Sequence, residues 1–156
     1  MENFLRLHND AMDMALQGDV ALQNEDKERA LKFYQQAYEL DKKAAYMAEK
    51  AGNVEPGLSI LFLSASSLAY QCGLLREAEI LATHALSGQP TKEVASDLRD
   101  MLQQIYHSDD FADEDNDVSF KVNVKKGGAS LFSTVIERMG WSASSIRKNI
   151  GKIAIL

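Results

Sequence analysis

The eight residues Ala30-Leu31-Lys32-Phe33-Tyr34-Gln35-Gln36-Ala37 return in pattern as Ala78-Glu79-Ile80-Leu81-Ala82-Thr83-His84-Ala85, forty-eight positions later. Each block has small residues at its first and eighth positions and another inner-face residue at its fifth. A helix brings positions three, four and seven apart onto one side. Alanine at those places lets two helix backbones approach closely, while a bulkier neighbour fills the remaining gap. A chain that carries this arrangement twice is expected to stack helical pairs.

The rest of the first two thirds follows the same period. Phe4, Leu7, Ala11, Met14, Ala15, Gly18, Ala21 and Leu22 predict a helix from about residue 3 to 23. Asn24-Glu25-Asp26 interrupts it and supplies acid to the next helix start. A second helix runs from Lys27 to about Lys43, or on through Ala44, Met47 and Ala48, stopping before Gly52-Asn53. Glu55-Pro56-Gly57 opens a third, residues 58–71, which is apolar on most sides and therefore expected at the middle of a stack. Gly73 permits a tight turn into a fourth helix, residues 75–87, which Gly88-Gln89-Pro90 ends. Thr91 is a candidate cap for a fifth, with Leu98, Met101, Leu102 and Ile105 as its buried stripe up to about Tyr106.

Beyond His107 the character changes. Asp109 to Asp117 contain six acids and no base, so residues 108–117 read as an acidic linker. Residues 118–156 then carry seven bases against one acid, reversing the net charge of -6 carried by residues 1–108. Val118, Phe120, Val122 and Val124 alternate with polar residues and predict a strand, which Gly127-Gly128 ends. Two helices are expected after it, over residues 129–139 and from Ser142 or Ser144 onward with Ile146, Ile150 and Ile153. A lone strand leaves its backbone groups unsatisfied. Phe120, Val122, Val124, Phe132, Ile136, Trp141, Ile146 and Ile150 thus become candidates for an association segment, in homo-oligomers or on the body of the same chain.

The two helical pairs resemble tetratricopeptide repeats. Gly18 falls on the first-helix small position of that family, Ala30 and Ala37 on its two second-helix alanines, and Tyr34 on the aromatic between them. In the second unit Ser66, Gly73, Ala78, Ala85 and Pro90 match the small residue, turn glycine, alanines and closing proline, with Ala82 replacing the aromatic. Glu25 stands where the first turn glycine belongs, Lys42 where the first closing proline belongs. The offset is forty-eight rather than the usual thirty-four or so, which places the extra residues near 44–57. A plain helical bundle, or a three-helix microtubule-interacting and trafficking module, shares parts of the pattern. The resulting expectation is a mostly α fold: a helical-hairpin stack over residues 1–107, the linker, and a small strand-plus-helix extension.

Such resemblance implies a non-enzymatic adaptor that holds a peptide or helix of a partner in a groove lined by first helices. The candidates there are Arg6, Asp10, Asp13 and Gln17 on the first helix and Phe62, Ser66 and Tyr70 on the third. Tyr34, Tyr38 and Tyr46, spaced by four and eight, read as core packing. No carboxylate pair or nucleophile–base set stands out, so catalysis and cofactors are not expected. His8, His84 and His107 lie far apart with no metal-ligand spacing, and Cys72 reads as a small buried side chain in a reducing, cytoplasmic protein. No apolar run approaches the roughly 20 residues that cross a bilayer. The basic segment keeps self-association, nucleic acid and anionic membrane as alternative partners, with the acidic body opposing a long polyanion.

Overall fold

The computed structural model describes residues 3–109. The period of three and four becomes five α-helices in series: α1 (Phe4–Gln23), α2 (Lys27–Lys50), α3 (Gly57–Gln71), α4 (Leu75–Ser87) and α5 (Lys92–Asp109). Successive helices pack against one another, and α3 also packs against α5. Asn3 caps α1 by accepting from the Leu5 amide, Asp26 caps α2 by accepting from the Arg29 amide, and Thr91 accepts from the Val94 amide at the start of α5. Before α3, the Glu55 carboxylate accepts from the Ser59 amide at 3.0 Å and from the Ser59 hydroxyl, so it satisfies one helix-end donor that Pro56, with no side-chain acceptor, leaves unserved.

The turns after α1 and α3 are built alike. Asp26 N donates to Ala21 O and Glu25 N to Leu22 O, while Leu74 N donates to Ala69 O and Gly73 N to Tyr70 O. These six-to-one and five-to-two bonds close both helices in the same way, and both need a left-handed residue. Gly73 supplies it at φ 72°, and Glu25 does so at φ 61°. At an offset of forty-eight, α4 corresponds to Lys27 to Glu39, so α2 continues eleven residues further, to Lys50.

Cross-helix contacts fix the directions. Tyr34 on α2 reaches Asp19 on α1, and Tyr46 on α2 meets Phe62 on α3. Phe62 also meets His84 on α4, Tyr106 on α5 reaches Glu79 on α4, and Tyr70 on α3 meets Ser108 on α5. The helices therefore alternate up and down, with the C-terminal ends of α1, α3 and α5 at one end of the molecule. Ala30, Ala37, Ala78 and Ala85 are all buried, as close helix approach requires. Gly18 lies against Tyr34: a Cβ built there would fall 2.7 Å from the ring. The most apolar helix, α3, is central, with residues 59–69 all buried. The strand, the linker and the two later helices expected after α5 lie outside the described residues, as do Phe120, Val122, Val124, Phe132, Ile136, Trp141, Ile146 and Ile150.

Candidate functional site

Two features stand apart from ordinary helix packing: a buried polar network and one exposed helix face. The network starts on α2, whose inner stripe of Tyr34, Ala37, Tyr38, Ala44, Ala45 and Ala48 includes a carboxylate, Asp41, at 0% exposure. His8 on α1, 2% exposed, donates from Nδ1 to Asp41 Oδ1 at 2.7 Å. The Ser64 hydroxyl on α3 donates to Asp41 Oδ2. Three helices are thereby tied through one carboxylate. His8 Nε2 and Ser67 Oγ have no hydrogen-bond partner among the described residues.

These three residue types also build hydrolase triads, but their order here is different. A nucleophilic serine gives its proton to imidazole, and the acid orients the far side of the ring. In this network the carboxylate lies between, so Ser64 donates to Asp41 and has no imidazole to take its proton. Burial of all three also closes the hydroxyl to a substrate. The arrangement can hold helices in register and offers no route to acyl transfer. Among the described residues, no group of three or more His, Cys, Asp or Glu side chains is placed to hold a metal ion.

A second polar line joins α2 to α4. Glu77 accepts from Tyr38 at 2.8 Å and from Lys42 at 2.7 Å, and His84 Nε2 meets Glu49 at 2.6 Å. Lys42 and then Tyr38 hold the Glu77 carboxyl below its ordinary range. Burial, followed by the bond to Glu77, pushes the Tyr38 hydroxyl up to about 12. Burial and the 2.6 Å bond to Asp19 likewise raise the Tyr34 hydroxyl. These are inter-helix ties between α1, α2 and α4.

No family model, curated protein or solved structure matches the chain. Its site must therefore be judged on its own geometry.

The sequence-derived groove separates into two parts. Phe62 and Ser66 are core residues, 1% and 0% exposed. The Ser66 hydroxyl donates to the Ala78 carbonyl at 2.7 Å, and the Phe62 ring is covered by Tyr46 and His84. Tyr70 is half-buried and its hydroxyl meets Ser108 of α5 at 3.1 Å. With α3 enclosed by its neighbours, neither Phe62 nor Ser66 can line an open groove, which corrects that part of the expectation. Arg6, Asp13 and Gln17 on α1 are exposed and Asp10 is partly so, pairing with Arg6 at 3.8 Å. The same helix exposes two large apolar residues that the sequence reading passed over: Leu16, 62% exposed, and Val20, 50% exposed. Their four-residue spacing puts them on one face, flanked by Asp13, Gln17 and Gln23. From Leu7 to Gln23, α1 carries Asp10, Asp13 and Asp19 and no lysine or arginine.

Among the described residues, no helix is long and apolar enough to cross a bilayer. Cys72 is buried, and burial, with the Glu39 carboxylate second, pushes its thiol up to about 12, far from the low values of reactive cysteines.

Proposed function

We propose that this chain is a non-enzymatic interaction module, a tetratricopeptide-like adaptor that holds a helix of a partner polypeptide against the outer face of α1. The observation that carries the reading is the exposed pair Leu16 and Val20, apolar at helical spacing and set on a helix whose last four turns contain only acidic charge. Single exposed apolar residues are commonplace, whereas two adjacent ones on one helix face make a patch that a partner helix can cover. Full burial of a leucine or valine contributes about 1.5–3 kcal/mol each. The pair therefore acts as an anchor, and neighbouring polar contacts must supply register. The acidic surround favours a partner helix with lysine or arginine beside its apolar stripe.

The repeat part of this reading is supported by the matching turns at Glu25 and Gly73 and by the buried alanines of both pairs. The buried Ser64–Asp41–His8 order supports the absence of hydrolytic chemistry. A cytoplasmic setting belongs to the same reading, supported by a composition with one cysteine.

Fluorescence anisotropy with a labelled synthetic helix, leucine at positions four and three apart and lysine on its flanks, tests the proposal. Leu16→Asp is expected to weaken binding by at least about tenfold, the equivalent of about 1.4 kcal/mol. The substitution sits at an exposed position and should leave the helical circular dichroism unchanged. Equal affinity for both forms would remove α1 as the binding face.

A further inference from the structure

The outer face of α1 and the C-terminal segment of the same chain are complementary in three respects. The first is charge. Residues 1–108 carry a net charge of -6 and the exposed Asp13 flanks the Leu16–Val20 face, whereas residues 118–156 hold seven bases and one acid. Opposite potentials orient docking and speed it.

The second is apolar spacing. Leu16 and Val20 are exposed four residues apart. In the segment, Phe132 and Ile136 are four apart, and Ile146, Ile150 and Ile153 recur at four and three. A helix carrying such a stripe lays it along another helix.

The third is position. Because α1, α3 and α5 point the same way, α5 ends at the end of the molecule that also holds the last turns of α1. The Tyr70–Ser108 contact fixes this for α3 and α5. The Tyr34–Asp19 and Tyr46–Phe62 contacts carry the alternation back to α1. Neighbouring helix axes lie about 8–10 Å apart, so α1 is at most about 30 Å from α5. Between Asp110 and Phe132 lie more than twenty residues, with a maximum reach on the order of 70 Å.

We propose that residues 118–156 dock on the Leu16–Val20 face of α1 in the same chain and compete there with a partner helix. The inference rests on the reading of that face given above and adds its occupant. An intramolecular ligand has a high effective concentration, so a partner must displace it before binding.

The test uses the full chain with photoreactive benzoylphenylalanine in place of Leu16. Unlabelled and nitrogen-15-labelled copies are mixed before irradiation, and cross-linked peptides are assigned by mass. Thr83, exposed on α4, provides a second cross-linker position as control. The expected links join position 16 to residues 118–156 within one isotope label. They should be several-fold weaker from position 83, and should be lost when the synthetic basic helix is added. Links that join the two labels would overturn the proposal in favour of a second copy. If the synthetic helix is captured at position 16 while residues 118–156 never are, the intramolecular occupant is wrong and the α1 face stands. Capture of neither would overturn both.

Discussion

Glu25 and Gly73 hold the same left-handed backbone, at φ 61° and 72°, at corresponding points of two hairpin turns. Glycine adopts this conformation freely, whereas a residue with a Cβ is strained in it by about 1 kcal/mol. The turn geometry thus persists where its usual residue is missing, because the flanking bonds from Asp26 to Ala21 and from Glu25 to Leu22 still form. Glu25→Gly is expected to stabilise the protein by up to about 0.5 kcal/mol, the relieved strain less the added freedom of the unfolded chain. Urea unfolding measures it. A loss of stability would mean that the Glu25 side chain contributes something the turn geometry does not account for.

Asp41 is expected to be the most sensitive polar position in the body. Asp41→Ala removes the common acceptor of His8 and Ser64 and leaves both buried donors unserved. The expected loss is about 2–5 kcal/mol, since each of the two buried donors left unserved costs about 1–3 kcal/mol. Ser64→Ala removes one donor and leaves the His8 bond in place, so about 1 kcal/mol should be lost. Similar losses from the two variants would show that the network does not tie the three helices through its carboxylate.

Close approach at Gly18 and Ala78 sets the crossings of each pair. Gly18→Ala drives a methyl into the Tyr34 ring, and Ala78→Leu adds bulk at a position with 0% exposure. Each is expected to cost about 1–3 kcal/mol through overpacking. Thermal melts of the two variants check this, and unchanged melting temperatures in both would contradict the stacked pairs.

Cys72, just after α3, and Glu77 on α4 give opposite pH signs. Burial raises the Cys72 thiol to about 12, so its stabilising contribution is complete below the ordinary thiol value of about 8.5 and is lost as pH climbs toward 12. Native protein at pH 8 should therefore react with a disulfide reagent only as fast as it opens, and immediate labelling would be inconsistent with that burial. Glu77 is lowered by Lys42 and Tyr38, so its contribution is present above the ordinary carboxylate value and is lost as pH falls through its lowered value in the fold. With Glu77 40% exposed, that contribution is below about 1 kcal/mol.

The helices are legible because periodicity, turn residues and caps agree along residues 3–109. Residues 75–87 and the starts of α2 and α5 emerge where turn chemistry places them. The turn at Asn24-Glu25-Asp26 is legible, but the left-handed backbone of Glu25 is not, because its signal is normally a glycine. The Asp41 network had a visible trace, a carboxylate in register with Tyr34, Tyr38, Ala45 and Ala48, but its histidine and serine partners are distant in sequence. The side to which Phe62 and Ser66 point is not legible in the sequence, because α3 is apolar on nearly every side and periodicity then gives no direction. Only the packing of α2, α4 and α5 around α3 decides it. Leu16 and Val20 escaped for the converse reason: they lie off the main apolar stripe of α1, so their exposure becomes visible only in three dimensions.

Amide chemical-shift mapping of the nitrogen-15-labelled full chain, titrated with the lysine-flanked synthetic helix, tests the central claim most directly. The α1 face predicts the largest perturbations at Asp13, Leu16, Gln17 and Val20, with α3 and α4 little changed. Perturbations centred on α4 or α5, or none at saturating peptide, would contradict it.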